Sequence, residues 1–199
     1  MKLKQAFFQR EDVDQIAKEL LGKILVTNFD GQLTSGKIVE TESYAGVTDK
    51  ASHAYSGRRT KRTEIMYGPA GTVYVYLIYG IYSLFNIVTN KNDIPHAVLI
   101  RAIEPVDGIN KMLERRKMER AKYNLSAGPG LLTQALGIST IHNAQNVMNG
   151  NIWVEDHGLK IHEGEIISRP RVGVAYAEED AKLLRRFSIK DNPWVSKAK

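Results

Sequence analysis

The sequence contains no cysteine. That absence excludes disulfides, thiolate zinc sites, iron–sulfur clusters and cysteine nucleophiles together, so any chemistry must rest on oxygen and nitrogen groups. Long apolar runs are missing too. None approaches a bilayer span, and Met1 to Arg10 carry charged and amide side chains where a secretory leader needs an apolar centre. A soluble, cytoplasmic protein without membrane association is therefore expected. The five histidines, His53, His96, His142, His157 and His162, show no HExxH-like pairing, so the spacing gives no support to a metal enzyme, and no cofactor is expected. Repeats, low-complexity tracts and linkers are likewise absent. A chain of 199 residues with 43% hydrophobic content suffices for one sizeable core and is short for two ordinary domains, so a single domain over 1–199 is expected.

What is present begins with charge. Lys and Arg number 28 against 22 Asp and Glu, a formal +6 that favours polyanions, including nucleic acid and anionic membranes. Val13, Ile16, Ala17, Leu20 and Leu21 recur at helical spacing between a candidate cap, Asp12, and a stop, Gly22. Lys23 to Asn28 and Gln32 to Tyr44 read as strands joined through Asp30-Gly31, a strong hairpin signal. Ala45 to Gly71 is a long polar loop with room for one short helix, and loops of that length usually carry function. Thr72 to Val88 reads as a hairpin with Tyr79-Gly80 at its tip, and Ala97 to Ile103 as a buried strand. Helices are expected over Asp107 to Arg120 and from Pro129 to Gly137, where proline at the first helical position forfeits no bond. Short strands around Ile152, Ile166 and Val172 and a charged helical segment from Glu178 complete a mixed α+β chain.

Several residues could carry chemistry. Glu40 and Glu42 lie on one face of a strand end, because side chains alternate with period two. His53, Tyr55, Tyr74, Tyr76, Tyr79 and Tyr82 supply π faces and polar edges suited to a purine turned out of the base stack. Tyr74 and Tyr76 equally suit a packed sheet, whereas Tyr79, beside glycine at a turn, is hard to bury. The run Arg58-Arg59-Thr60-Lys61-Arg62 fits either phosphate binding or a solvated loop. Arg101 sits inside an apolar strand, where a charge needs a partner such as Glu104 or Glu40, or a cleft to face.

Five ordered segments go further: Val39-Glu40-Thr41-Glu42-Ser43-Tyr44, Gly71 to Tyr82, Leu99 to Pro105, Gly128-Pro129-Gly130-Leu131-Leu132-Thr133-Gln134-Ala135-Leu136, and Asn192-Pro193-Trp194-Val195-Ser196. Together they closely resemble the alkyladenine (3-methyladenine) DNA glycosylase family. The resemblance implies an α+β fold with a curved, mainly antiparallel sheet, flanking helices and a protruding β-hairpin, similar to the C-terminal domain of formyltransferases. It implies a monomeric, monofunctional repair enzyme that acts on double-stranded DNA containing damaged bases. It excises 3-methyladenine, 7-methylguanine and, as a neutral substrate, hypoxanthine, leaving an abasic site.

Residue by residue, the resemblance implies that Glu42 activates the attacking water with Arg101 as its arginine partner. Glu40 is then a supporting carboxylate or a structural partner. Tyr44 and His53 stack on the two faces of the extruded base and Tyr76 completes the wall. Asn86 discriminates against the guanine amino group, with a buried structural asparagine as the alternative, and the Val174 carbonyl holds the water. Tyr79 enters the minor groove with Ile81 in support. A base–sugar bond already weakened by alkylation needs only water activation and a stabilised oxocarbenium-like sugar, and no lysine in these segments suggests a Schiff base. The competing readings are a non-catalytic nucleic-acid-binding module of the same fold and a hydrolase using Glu40 and Glu42 on another glycoside. Keeping Glu42 together with Tyr44 and His53 argues against the first, and the basic charge and the Tyr79 hairpin against the second.

Overall fold

The computed structural model describes residues 1–197. A four-residue helix, α1 (Gln5–Phe8), precedes α2 (Val13–Glu19), whose N-terminus is capped by the Asp12 carboxylate accepting from the Gln15 N–H at 2.9 Å. Val13, Ile16 and Ala17 turn one face of α2 into the core, and the Thr41 hydroxyl donates to the Ala17 carbonyl at 2.9 Å, fixing the helix on the sheet. Strands β1 (Ile24–Phe29) and β2 (Gln32–Tyr44) are joined by Asp30 and Gly31, both at positive φ as a tight hairpin turn demands.

Strand β2 is the spine of the molecule. It pairs with β5 (His96–Pro105) along one edge, while on the other it gives Gln32 to Lys37 to β1 and Glu40 to Glu42 to β8 (Arg186–Ile189). With β3 (Val73–Ile78), β4 (Tyr82–Thr89) and β6 (Ile152–Glu155) the main path runs β3-β4-β5-β2-β1-β6, and β7 (Ile166–Arg169) is attached through β8. Every pairing is antiparallel and the sheet curls into a half-barrel, so the expected α+β class and curved sheet are observed. The β2–β5 register slips on both sides of Glu40, which marks an irregularity beside two carboxylates.

Helices α3 (Ile109–Arg116) and α4 (Pro129–Leu136) pack together and against the sheet. The first is shorter than the sequence predicts, because Lys117 adopts a left-handed conformation and its N–H closes onto Glu114 and Leu113 carbonyls. The second starts with Pro129 and ends at Gly137, as read. Val75, Phe85, Ile87, Val98 and Ile100 project from the central strands into the main core with α2 and α4 residues. Their neighbours along the same strands project to the opposite face. Among the described residues no helix is long and apolar enough to cross a membrane.

Two expectations fail locally. Val172 is in a bend, not a strand, and Ala175–Lys182 forms a 3-10 segment broken at Glu178, whose φ is +52°, where a helix starting at Glu178 was expected.

Candidate active site

The second face of β2, β3, β4 and β5 floors a cavity of about 720 Å³. Alternation places Glu42 and Tyr44 of β2, Tyr74 and Tyr76 of β3, Leu84 and Asn86 of β4, and Leu99 and Arg101 of β5 on it. The loop after β2 adds His53 and Arg62, the loop after β7 adds Val172 to Val174 and Tyr176, and the start of α4 closes the rim. Gly130 is required there: a Cβ would meet the Tyr82 ring at 2.8 Å.

At the floor, Arg101 aims its three nitrogens at three partners. Nε donates to Glu40 Oε1 at 3.1 Å, Nη1 pairs with Glu42 Oε1 at 3.1 Å, and Nη2 donates to the Ser196 hydroxyl at 3.4 Å. Glu40 also takes Arg186 Nη1 at 3.3 Å and the Ser196 N–H at 2.9 Å. Both carboxylates are fully buried and Arg101 is 4% exposed. Burial alone would pull the Arg101 guanidinium down, but the Glu42 and Glu40 charges outweigh it and raise its pKa. Two carboxylates against two guanidiniums leave the group charge-balanced, the condition for keeping ions out of water.

Glu42 has two further donors, the Val172 N–H on Oε1 at 2.9 Å and the Tyr44 hydroxyl on Oε2 at 2.8 Å. Removal from water, followed by the Glu42 charge, lifts the Tyr44 phenol well above its ordinary pKa, so it stays a donor. Its ring lies over the Arg171 guanidinium at 4.8 Å. Arg171 is held by Asp49 through two bonds of 2.6 and 2.9 Å and by the Ser43 carbonyl at 3.0 Å. Burial raises the Asp49 carboxyl, but Arg171 and the Ala45 and Ala51 amides more than reverse this, leaving it below the usual range.

The opposite wall is aromatic. His53 meets Tyr76 edge-on at 4.7 Å between centroids, and Tyr74 lies 5.3 Å from Tyr76. Arg62 stacks on Tyr76 at 4.9 Å and donates from Nε to the Tyr74 hydroxyl at 3.3 Å. That hydroxyl also lies 2.8 Å from His53 Nδ1, a hydrogen bond whose direction follows the tautomer of the ring. Burial, with Arg62 and Arg58 nearby, pushes His53 down to about 4, so it is neutral near pH 7.

The structure thus brings Glu42, Tyr44, His53, Tyr76, Tyr79, Asn86, Arg101 and Val174 to one cavity. Ile81 is not in its lining; with Tyr79 it projects from the hairpin tip, the two being 68% and 85% exposed. Tyr79 is held at φ +54° beside Gly80 at +69°, a conformation that costs a non-glycine residue about 1–2 kcal/mol. Asn86 Nδ2 donates to the Tyr74 carbonyl at 3.1 Å, so this buried amide also ties β4 to β3. Of the basic run, Arg59 is taken up by Glu64 and Asp93, both at 2.8 Å, and only Arg62 lines the cavity. Sequence reasoning missed Arg171, Asp49, Val172 and Tyr176, which sit far apart in the chain and acquire meaning only by tertiary contact. Among the described residues no three His, Asp or Glu side chains gather as a metal site.

The methylpurine-DNA glycosylase (MPG) family profile matches residues 6–193. A Clostridium perfringens (strain 13) protein is 47% identical over 99% of this chain and 100% of its own length. One from Clostridium acetobutylicum is 48% identical over 98% of each, and one from Chlamydia abortus 45% identical over 94% and 97%. All three are provisionally named 3-methyladenine DNA glycosylases. With the profile spanning nearly the whole chain and near-half identity along it, the protein belongs to the methylpurine-DNA glycosylase family, DNA glycosylases for alkylated bases.

Proposed function

We propose that the protein is a monofunctional hydrolase, acting as a monomer on duplex DNA. It extrudes 3-methyladenine, 7-methylguanine or hypoxanthine into the cavity and cleaves the N-glycosidic bond, leaving an abasic site. The observation that carries this reading is a buried carboxylate, Glu42, ion-paired to Arg101 at the floor of an aromatic cavity. The relatives' names point to the same substrate class.

In this reading the extruded base stacks between Tyr44 and His53, with Tyr76 as the wall. Alkylation at purine N3 or N7 makes the base cationic, and aromatic faces attract it as they do not attract a neutral base. A neutral His53 adds a face without adding a repelling charge. Asn86 rejects the guanine amino group, and Tyr79, supported by Ile81, fills the vacated position in the stack and offsets an extrusion cost of about a few kcal/mol.

Glu42 Oε1 faces the Arg101 guanidinium as an ion pair and accepts the Val172 N–H, which makes Oε2, where the Tyr44 hydroxyl sits, the oxygen placed to receive the water. Stacking of a base on the Tyr44 ring is the event placed to exchange that hydroxyl for water, which the Val174 carbonyl helps to hold. Glu42 then removes the water's proton as the oxygen–C1′ bond forms and the C1′–N bond breaks, its electron pair leaving with the base; this neutralises an alkylated purine cation, whereas hypoxanthine leaves as an anion that takes a proton from solvent. Arg101 keeps the carboxylate aimed at the anomeric carbon.

The test is incubation with methylated duplex DNA and chromatography of the released bases. Free 3-methyladenine and 7-methylguanine with intact abasic sites are expected. Absence of free base, or strand cleavage accompanying release, would contradict the reading.

A further inference from the structure

The segment Asn192 to Ser196, one of the five read in the sequence as resembling the family, contributes nothing to the cavity lining. Its course is specific. Asn192 Nδ2 donates to Glu104 Oε2 at 3.0 Å, at the end of β5. The Asn192 side-chain oxygen accepts the Trp194 N–H at 2.9 Å, and the Trp194 ring packs on the main core and edge-on against Tyr123 at 5.3 Å. So anchored, the segment delivers Ser196 beneath the floor of the cavity, where it touches both Arg101 and Glu40.

We infer that this C-terminal strap is a positioning element for the reaction: the Ser196 hydroxyl engages Arg101 Nη2 while the Ser196 N–H engages Glu40 Oε2, and by holding the two groups separately Ser196 keeps the guanidinium oriented with Nη1 on Glu42. The inference rests on the reading that Glu42 and Arg101 carry the chemistry. A guanidinium facing a carboxylate gains most from two parallel bonds. Here Arg101 makes one bond to Glu40, through Nε, and Oε2 accepts the Ser196 N–H, its only hydrogen-bond donor among the described residues. The Ser196 hydroxyl holds Arg101 Nη2, also its only partner there. Remove Ser196 and both atoms lose their partners at once inside a buried ionic cluster. The freed Nη2 and Oε2 can then complete a side-on fork with the existing Nε bond to Glu40, and turning the guanidinium into that fork moves Nη1 away from Glu42. Ser196 is a positioning residue, acting through Glu40 and Arg101 and touching no substrate.

The test uses full-length protein and single-turnover release from a methylated duplex, with affinity for a duplex carrying an abasic analogue and thermal melting in parallel. Ser196→Pro removes the N–H donor and is expected to slow release by about 10²-fold, the usual consequence of an ångström-scale displacement of a catalytic group, with analogue affinity retained. Ser196→Ala keeps the N–H and removes only the hydroxyl partner of Arg101 Nη2, so a smaller slowing, about tenfold, is expected. Adding Glu40→Gln to Ser196→Pro denies Arg101 its two-acceptor partner and is expected to recover about tenfold in rate, a coupling typical of residues in contact. Release at the wild-type rate by Ser196→Pro would overturn the inference. So would rate, affinity and melting temperature falling together with no recovery on Glu40→Gln, which would make the strap merely structural. If the wild-type protein releases no base, the functional reading fails instead, and the two failures are told apart in the same experiment.

Discussion

Strands β2 to β5 present two faces of opposite character, although adjacent residues of one chain build both. On β4, Phe85 and Ile87 enter the main core while Leu84 and Asn86 line the cavity; on β5, Val98 and Ile100 enter the core while Leu99 and Arg101 line the cavity. The core face is apolar and supplies stability through burial. The cavity face carries four tyrosines, an asparagine, a carboxylate and a guanidinium, and it persists because Tyr44, Tyr74, Asn86, Glu42 and Arg101 each have a polar partner. Period-two alternation therefore separates stability from chemistry on the same strands, and this separation can be tested by substitution.

The largest effect is expected on the core side. Phe85→Ala should cost about 3–5 kcal/mol of stability, as large-to-small changes of buried aromatics do, with the cavity side chains untouched. Urea unfolding measures it, and a loss far below that range would show that this face is not the stabilising one. A smaller effect is expected at the tip. Tyr79 is 85% exposed, so Tyr79→Ala should leave stability unchanged. It should weaken binding to a lesion-containing duplex by about 1–3 kcal/mol, the usual value of a base–aromatic stack, and weaken single-strand binding less. Equal losses on both substrates would count against a wedge.

A third effect concerns pH. His53 is pushed down to about 4 in the fold from 6.5. Its folded pKa is depressed, so below 6.5 the unfolded chain binds the extra proton first. The stability due to its neutral form is present above 6.5 and is lost progressively as pH falls toward 4. Melting temperatures recorded across that window should fall less steeply for His53→Gln than for the wild type; parallel slopes would place the acid loss elsewhere.

Much of this arrangement is legible in the sequence, for identifiable reasons. The bounds of β2 follow from Asp30-Gly31 and from the alternation of Glu40, Glu42 and Tyr44, and those of α4 from Pro129 and Gly137, all local signals. Strand β8 is not legible, because its four residues owe their extended form to pairing with β2 and β7. Val172 has strand-like neighbours in sequence, yet its N–H is committed to Glu42, 130 positions away. The basic run reads as uniform in sequence, but Asp93 and Glu64 claim Arg59 while the aromatic wall claims Arg62. Arg171 and Asp49 show the same limit. A buried ion pair leaves no periodic trace in either segment, even though it underlies the Tyr44 ring. Arg101 is the informative exception, since a charge inside an apolar strand announces a partner, and the structure supplies Glu40 and Glu42 together.

The central claim is that Glu42 activates water at the cavity floor, and Glu42→Gln addresses it most directly, preserving shape while removing the base. Base release under single-turnover conditions should fall by about 10²–10⁴-fold, the range general-base catalysis supplies, while affinity for the lesion-containing duplex is retained. Release at the wild-type rate with binding intact would contradict the account.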